Sequence, residues 1–544
     1  MLHFIPAWYQ QNNWCENEQY WYARRMRTEF DDTVKQIQLF HRSQAYPFQV
    51  MLLSFAPNYR HFLHRQSVFH APYWSVFDAI QEIRKKKVRI FSFHNLQWPE
   101  HVEFIYSPFV VVALLNGEKY AQVEFGEDGN MIQIDLYQKE KIQRRNIYDD
   151  RGFISSTTIY ENEEPVHQDY LNDKGIWKLR HNFRENRIEV NPKIPTYLIE
   201  HDGKEYQKQF SKMSYNSMEE VISEVLTSYL EYLDEKDMFC VAMHNLHANL
   251  LKEPLKDKKT ILSFFENRYD IEKYQHNKDM IASADYIIAD SQENLKKLKK
   301  GMGKELANII DITPFDSRVD FGISQQLNVQ KILVPVDGMN ESKFEELIMR
   351  LGEYLPKNEN ARIHLFTRIA EYDRKKVLLE QVRSILRNAG MNEEWAADEK
   401  KATVAENRLD AVEAEPILFT VEQCVDELSV SKCMREQRLI VDMRSSAELY
   451  LRITGISVGI PQIVFKSNQF VEHEKNGLVV KNMDRLSDAI SFYLDSLNNW
   501  NEAMVYSYEL GKKYTTGELI EKWKEVIDFV GSNSSITAGE QRLE

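Results

Sequence analysis

Short apolar runs alternate with longer amphipathic stretches at both ends of the chain. The first runs are His3–Trp8, Phe48–Phe55 and Val88–Phe93, with helix-like segments between them. The same alternation returns in "MFCVAM", "TILSFF" and "DYIIAD", and later in "KILVPV", "RIHLFT", "PILFT", "RLIVD" and "PQIVF". Because strands that alternate with helices usually form parallel sheets, the pattern predicts two α/β domains.

The pattern changes between residues 104 and 210, where short runs alternate apolar and polar positions, as in "YAQVEFGEDGNMIQIDLYQ". Asp128 and Gly129 in "EDGN" adopt positive φ easily, so this segment predicts a hairpin turn. We therefore expect an antiparallel β-rich extension at 104–210, inserted into a discontinuous first domain of 1–103 and 211–325. The second domain spans 326–530, and a Gly/Ser-rich flexible tail is expected at 531–544.

Helical periodicity resumes in "SMEEVISEVLTSYLEYLD" after the insertion. Met218, Val221, Ile222, Val225, Leu226, Tyr229 and Leu230 form one apolar face at the helical spacing. Ser217 and Glu220 have the spacing of a capping box, in which each side chain accepts a hydrogen bond from the other residue's backbone N–H. The segment thus predicts an amphipathic helix that begins at Met218.

Length and composition narrow the class of protein. A chain of 544 residues is too long for one hydrophobic core, and its net charge of −14 argues against a nucleic-acid partner. The mean hydropathy is −0.52, and no apolar run approaches the roughly 18 residues of a membrane-spanning helix. The N-terminus lacks the features of a signal peptide, so a cytoplasmic location is expected.

Several kinds of catalytic or metal site are not indicated. Cys15, Cys240, Cys424 and Cys433 match no zinc or redox spacing, so we interpret them as reduced thiols and predict no metal site. Gly303-Lys304 fails the phosphate-loop pattern, because Leu298 and Glu305 stand at positions that require glycine and a hydroxyl. No Asp-x-Asp pair is present to hold a metal against a nucleotide diphosphate, and no cofactor is predicted.

The segment "HNLH" directly follows the predicted strand "MFCVAM". Ligands of parallel α/β sheets bind at the carboxyl ends of strands, so His244, Asn245 and His247 are candidate cleft residues that could contact carbohydrate. The alternative is that the two histidines cap a helix or pack in the core.

Lys296, Lys297, Lys299 and Lys300 form a dense basic run, and "RKKKVR" at 84–89 forms another. Solvated helix faces are the simplest explanation. The alternative is weak peripheral attachment to the inner face of the cell membrane, because each lysine near an anionic leaflet contributes about 1 kcal/mol.

Two sets of segments carry a resemblance to known families. "CVAMHNLHANLL", "TILSFFENRY", "ADYIIADSQEN" and "GIPQIVF…HEKNGLVV", in that order, resemble GT-B glycosyltransferases, which implies two Rossmann-like domains facing a cleft. "FIPAWY", "EFDDTVKQIQLF", "PEHVEFIYSPF" and "VEFGEDGN" resemble the first accessory secretory protein of the accessory Sec system, over essentially the whole chain. This resemblance implies a complex with two other accessory secretory proteins. It also implies action with the accessory Sec motor ATPase and channel in the export of serine-rich repeat glycoprotein adhesins.

The segment "DMRSSAELYLRITGISVGIPQIV" bears on catalysis. Retaining GT-B enzymes carry two glutamates before a Gly-x-Pro, and anchoring on Gly459 and Pro461 places those positions at Ser446 and Thr454. Glu448 is two residues out of register, about 200° around a helix. No catalytic residue is therefore predicted, and the chain is expected not to be an enzyme.

Arg444, Ser445, Ser446 and Glu448 are instead candidate carbohydrate contacts, with the alternative that the two serines cap the following helix. The rival function is an active retaining glycosyltransferase with atypical donor residues. A third possibility is a peripheral membrane protein that acts alone.

Overall fold

The computed structural model describes residues 1–9, 13–15, 18–22, 28–273, 277–303, 306, 308–318, 320–398, 416–446 and 448–532. The chain divides into two compact units. The first unit comprises Met1–Ile288, Leu298–Ile310 and, within the described residues, 526–532, and the second comprises Ala289–Lys297 and Asp311–Glu525. Residues 311–325 thus belong to the second unit, which differs from the predicted boundary. Residues 533–544 of the predicted tail lie outside the described residues.

The elements up to Asp311 belong to the first unit and its insertion, except that the first half of the last helix, up to Lys297, belongs to the second unit. The strands are β1 (Leu2–Ile5), β2 (Phe48–Leu52), β3 (Tyr73–Ser75), β4 (Val102–Tyr106), β5 (Val111–Leu115), β6 (Glu118–Phe125), β7 (Met131–Gln138), β8 (Lys141–Asp149), β9 (Phe153–Glu161), β10 (Glu164–Leu171), β11 (Trp177–Asn182), β12 (Arg187–Val190), β13 (Thr196–His201), β14 (Lys204–Gln209), β15 (Ser214–Tyr215), β16 (Met238–Ala242), β17 (Lys259–Phe264), β18 (Tyr286–Ala289) and β19 (Ile309–Asp311). The helices are α1 (Asp32–Ser43), α2 (Tyr59–Arg65), α3 (Val76–Gln81), α4 (Met218–Leu230), α5 (Asn245–Leu250), α6 (Lys278–Ser283) and α7 (Gln292–Met302).

The sheet of the first unit has the order β3-β2-β1-β16-β17-β18-β19 in the described residues. β3, β2, β1, β16 and β17 pair in parallel in that order, and β1 and β16 are buried along their whole length. Strands covered on both faces must be apolar throughout, which explains the continuous run "MFCVA" of β16. This is the strand order of a Rossmann-like domain.

The insertion is an antiparallel meander. β4 to β12 and β15 form one sheet in which sequence neighbours from β4 to β12 pair in order, while β13 and β14 form a separate hairpin. Gly129, with φ +74°, makes the turn between β6 and β7, as "EDGN" predicted. β4 lies at one edge of the sheet, and its Ile105 and Tyr106 side chains are exposed.

Helix α4 follows the insertion and begins at Met218 as predicted, with most of the predicted apolar face buried. The predicted capping box is wrong. Ser217 occupies the N-cap position without a side-chain cap bond, and the Glu220 carboxylate instead accepts hydrogen bonds from Lys212 and Asn216, both at 3.2 Å. The apolar face therefore positions this helix without help from a capping box.

The second unit contains β20 (Gln330–Pro335), β21 (Ala361–Thr367), β22 (Phe419–Gln423), β23 (Gln437–Asp442), β24 (Gln462–Val464) and β25 (Gly477–Val479). Its helices are α8 (Glu341–Tyr354), α9 (Arg374–Asn388), α10 (Glu427–Arg435), α11 (Leu449–Val458), α12 (Leu486–Leu494), α13 (Leu497–Gly511) and α14 (Thr516–Ser532). The strand order β22-β21-β20-β23-β24-β25 is again Rossmann-like, and every pairing is parallel.

One face of this second sheet carries the hydrophobic core of the unit, in which Ile332, Ile363 and Phe419 pack with α8, α9 and α12. Because side chains alternate along a strand, residues at the intervening positions, such as His364 and Glu422, point to the other face. No helix among the described residues has the length and apolar character required to cross a membrane.

Candidate functional site

The predicted histidine pair lies at the carboxyl end of β16, but His247 is not available to a ligand. His247 is fully buried; its Nδ1 lies 2.6 Å from the Ala242 carbonyl oxygen and its Nε2 lies 2.5 Å from the Tyr9 hydroxyl. Burial lowers the pKa of His247 to about 3, so the ring is neutral near pH 7. His247 is therefore a core histidine, which corrects its assignment as a cleft residue.

His244 and Asn245 occupy a different environment, since both are only partly buried. His244 caps α5, and its Nδ1 accepts a hydrogen bond from the backbone N–H of Leu246 at 3.3 Å. Burial, together with the charge of Arg268, lowers the pKa of His244 to about 4. His244 is thus a neutral helix cap.

A charged group near these histidines was missed from the sequence. Arg268 contacts Asp31 Oδ2 at 3.1 Å and Asp32 Oδ1 at 2.5 Å, and its Nε donates to the Met243 carbonyl at 3.0 Å. Burial and the neighbouring Asp32 charge raise the pKa of Asp31 to about 6, although Arg268 opposes this. The available signal was "DD" immediately before the helical run "TVKQIQLF", because Asp31 is the N-cap of α1.

In the second unit, Arg444 lies in a buried ion pair. Its Nε and Nη2 donate to the two carboxylate oxygens of Asp442 at 2.9 and 3.0 Å, and the two side chains are 5% and 4% exposed. Burial disfavours the charged guanidinium, but Asp442 more than compensates and raises the pKa of Arg444. Arg444 is therefore committed to Asp442, in contrast to its predicted role as a surface contact for carbohydrate.

Other carboxylates at this edge of the sheet are paired with arginines as well. Asp337 accepts from the Thr367 hydroxyl at 2.7 Å and from Arg374 Nη2 at 3.1 Å. Glu448 Oε1 lies 3.2 Å from Arg368 Nη1, while Glu448 Oε2 is buried without a hydrogen-bond partner. Positive charge at this edge is thus largely balanced by the protein's own carboxylates.

The two serines do not cap the next helix. α11 begins at Leu449 with Glu448 as its N-cap residue, and Glu448 makes no side-chain cap bond. Ser445 and Ser446 are exposed. The hydroxyl of Thr454, at the position of the second glutamate of a retaining enzyme, donates to the Tyr450 carbonyl at 2.7 Å. This hydroxyl is used within the helix.

The four lysines of α7 are all exposed, whereas Leu295 and Leu298 on the same helix are buried. Lys296, Lys297, Lys299 and Lys300 form no ion pair with any other residue that the structure describes. The second basic run differs, because Arg84 pairs with Glu205 and Lys86 pairs with Glu200.

Two further features lie away from these residues. A cavity of about 510 Å³ lies at the amino ends of β1, β2 and β3, lined in part by His3, Trp74 and Tyr229. This is opposite to the carboxyl ends where ligands of Rossmann-like domains bind. In the second unit, Cys424 and Cys433 come together with Glu422, a grouping that their sequence spacing did not indicate.

Comparison with known proteins identifies the family. A family model described as accessory Sec system protein, accessory secretory protein 1, matches residues 1–529. The chain belongs to this family. A family member from Streptococcus gordonii is 31% identical over 538 residues, which cover 97% of this chain and 100% of that protein. The match confirms the family resemblance seen in the sequence.

Solved structures of other proteins support the fold. A chain in the crystal structure of accessory secretory protein 1, 2 and 3 from Streptococcus pneumoniae matches this protein with a TM-score of 0.79 and 28% identity. The match covers 97% of this chain and 99% of that chain. The pneumococcal O-GlcNAc transferase GtfA in complex with UDP and GlcNAc matches with TM-score 0.66 at 12% identity, covering 97% and 98%. The predicted GT-B-like fold is therefore confirmed, and the chain is a glycosyltransferase-like component of the accessory Sec system.

Proposed function

We propose that this protein is a non-catalytic component of the accessory Sec export complex that helps to deliver glycosylated serine-rich repeat adhesin to the motor ATPase and channel. The proposal rests on the absence of carboxylates at the two positions where a retaining enzyme has glutamates. Ser446 and the internally bonded Thr454 stand there, and neither can supply the 10²–10⁴-fold rate factor typical of acid–base groups.

The test of catalysis uses purified protein with a panel of UDP- and GDP-sugars, an acceptor peptide and Mg²⁺ or Mn²⁺. We expect no donor hydrolysis above a buffer blank. The rival function, a retaining glycosyltransferase, is favoured by one observation, the unpartnered Glu448 Oε2 beside Arg368. Turnover that is present in the native protein and lost in Glu448→Gln would establish that rival instead.

The partners are proposed by analogy with the pneumococcal relative, whose structure contains accessory secretory proteins 1, 2 and 3. Strand β4 is a suitable contact, because an exposed sheet edge can pair with a strand of a partner. Its Ile105 and Tyr106 are 51% and 62% exposed. We expect Ile105→Lys/Tyr106→Glu to reduce co-purification with the other two proteins, whereas Phe492→Lys, at an exposed position of α12, should not. Undiminished binding would move the interface elsewhere.

Carbohydrate contact is proposed for the exposed Ser445 and Ser446 and for Glu448 in the second unit, and separately for His244 and Asn245 in the first unit. A glycosylated serine-rich peptide should bind more tightly than its unmodified form in calorimetry, and Ser445→Ala/Ser446→Ala should reduce the difference. Equal affinity of both peptides for the native protein would contradict this role.

Peripheral contact with anionic lipid is proposed for the α7 lysines, because they are exposed while Leu295 and Leu298 anchor the helix. We expect flotation with vesicles of phosphatidylglycerol, and its loss when Lys296, Lys297, Lys299 and Lys300 are changed to glutamate. The matched control changes Lys85 and Lys87 of the other basic run. Flotation that survives the first set of changes would remove the α7 contact.

A further inference from the structure

A compact set of potential metal ligands lies at the carboxyl end of β22 and is not used by the proposed function. Glu422 is on β22, Cys424 follows that strand directly, and Cys433 lies in the last turn of α10. One ligand atom from each of the three residues lies within 4.8 Å of the other two. We propose that Cys424, Cys433 and Glu422 bind one zinc ion, which ties the edge strand β22 to α10.

The separations suit a tetrahedral ion after a small contraction. With Zn–S bonds of about 2.3 Å and Zn–O bonds of about 2.0 Å, two sulfur ligands lie about 3.8 Å apart and a sulfur and an oxygen about 3.5 Å apart. The observed limit of 4.8 Å exceeds these values by about 1 Å, which side-chain rotation can close. Two thiolates with harder oxygen or nitrogen ligands favour zinc over magnesium or calcium.

A fourth donor lies next to Glu422. His364, on the adjacent strand β21, is 4% exposed, and its buried Nδ1 faces the Glu422 carboxylate. This nitrogen lies 3.3 Å from Glu422 Oε1. Nitrogen and oxygen ligands about 2.0 Å from a tetrahedral zinc are separated by about 3.3 Å, so this pair needs no change of spacing. The His364 ring must turn towards the two sulfur atoms to complete the site, because only Glu422, Cys424 and Cys433 have ligand atoms that all lie within 4.8 Å of one another.

The surroundings of the cluster support a ligand site. The Thr420 hydroxyl is also buried without a partner, and Thr420 is the register partner of His364 on the same face of the sheet. Gln437 Nε2 lies 3.6 Å from Cys433 Sγ and also donates to the Cys433 carbonyl at 2.9 Å. Buried polar atoms are normally satisfied, and amide donors beside a metal-bound sulfur stabilise its negative charge.

The position of the cluster suggests a structural metal. β22 is an edge strand of its sheet, and α10 begins four residues after it ends. An ion held by Glu422 and Cys424 on one side and by Cys433 on the other would fix the end of the strand against the end of the helix. We therefore expect zinc to protect both elements from local opening.

The test uses the full chain, freed of metal by chelator dialysis under reducing conditions and titrated with Co²⁺ as a spectroscopic probe. We expect one Co²⁺ per chain, a thiolate-to-cobalt charge-transfer band, and displacement of that band by Zn²⁺. Cys424→Ser and Cys433→Ser should each weaken Co²⁺ binding by more than about 100-fold, because loss of a residue that only hydrogen-bonds to a metal ligand already costs roughly 10–100-fold. Cys15→Ser in the first unit is the matched control and should bind fully.

His364→Asn adds a readout that does not remove a thiol, and it should alter the visible d–d bands of bound Co²⁺ while keeping the charge-transfer band. Zn²⁺ should also slow hydrogen exchange in β22 and α10 of the native protein, with no effect in Cys433→Ser. Absence of the charge-transfer band in the native protein would overturn the proposal. So would full binding by both serine variants, or a Cys424–Cys433 disulfide in protein purified from the cytosol.

Discussion

The buried ion pair of Arg444 and Asp442 lies at the carboxyl edge of the second sheet. It provides the sharpest test of whether Arg444 is held by Asp442 or is available to a ligand. Change of Arg444 to Met removes the guanidinium and leaves the Asp442 carboxylate, 4% exposed, without its two charge-assisted hydrogen bonds. At an effective dielectric constant of 20, charges about 3 Å apart attract by about 5 kcal/mol. Loss of one partner of a buried pair typically costs about 3–5 kcal/mol, so the two estimates agree.

The complete design is a double-mutant cycle. In Asp442→Asn/Arg444→Met both charges are absent, and the asparagine oxygen can still accept from the backbone N–H of residue 444, as Asp442 Oδ1 does at 3.2 Å. Because no buried charge is left unpaired, we expect the double variant to be more stable than the sum of the single effects implies, by about 2–3 kcal/mol. Arg350→Met, which breaks an exposed pair with Asp484, should cost less than about 1 kcal/mol.

A chain of two units need not unfold in a single transition, so a global free energy of unfolding is a poor measure. Native-state hydrogen exchange of peptides that cover β20 and β23 reports the local opening free energy directly. Arg444→Met could lower the local opening free energy by less than about 1 kcal/mol, or the double variant could show the sum of the two single effects. Either result would contradict a strong buried ion pair between Arg444 and Asp442. Arg444 would then remain available as a ligand contact.

Three smaller predictions concern individual residues. The pKa of His247 is about 3 when folded against 6.5 when unfolded, so stability should fall as pH drops from 6.5 towards 3. His247→Gln should remove up to about 1.4 kcal/mol per pH unit of that slope, measured as the local opening free energy of β16 and α5 by hydrogen exchange. Gly459→Ala should destabilise α11 by about 1–2 kcal/mol in hydrogen exchange, because φ is +79° and a Cβ would approach Met504 to 2.9 Å, whereas Gly517→Ala should not. Asn340→Ala should cost α8 about 1 kcal/mol, and Asn340→Asp should retain the cap, as hydrogen exchange of α8 can show.

Local sequence patterns predicted most elements of this fold, but not all of them. The apolar run Val88–Phe93 forms no strand, and the third strand of the first sheet is the short segment Tyr73–Ser75. β16 is a continuous apolar run and β20 is apolar and buried from Ile332 to Pro335, because central parallel strands are covered on both faces. Helix α4 shows its buried face in the spacing of Val221, Val225 and Tyr229. The interpretation of the α7 lysines as a solvated helix face agrees with the structure, in which the lysines are exposed and Leu295 and Leu298 are buried. The absence of carboxylates at Ser446 and Thr454 could also be read from their spacing to Gly459 and Pro461.

The tertiary structure decided which polar side chains are available and which are already committed. His247 contacts Tyr9, which is 238 residues away in the sequence. Arg268 contacts Asp31 and Asp32, which precede the β-rich insertion in the sequence, whereas Arg268 follows it. The ligand atoms of Cys424, Cys433 and Glu422 lie within 4.8 Å of one another only in the folded chain, so the separation of these residues along the sequence did not indicate a zinc site. Sequence periodicity records the burial of an element, whereas the partners of a polar group depend on contacts between distant segments that only the folded chain creates.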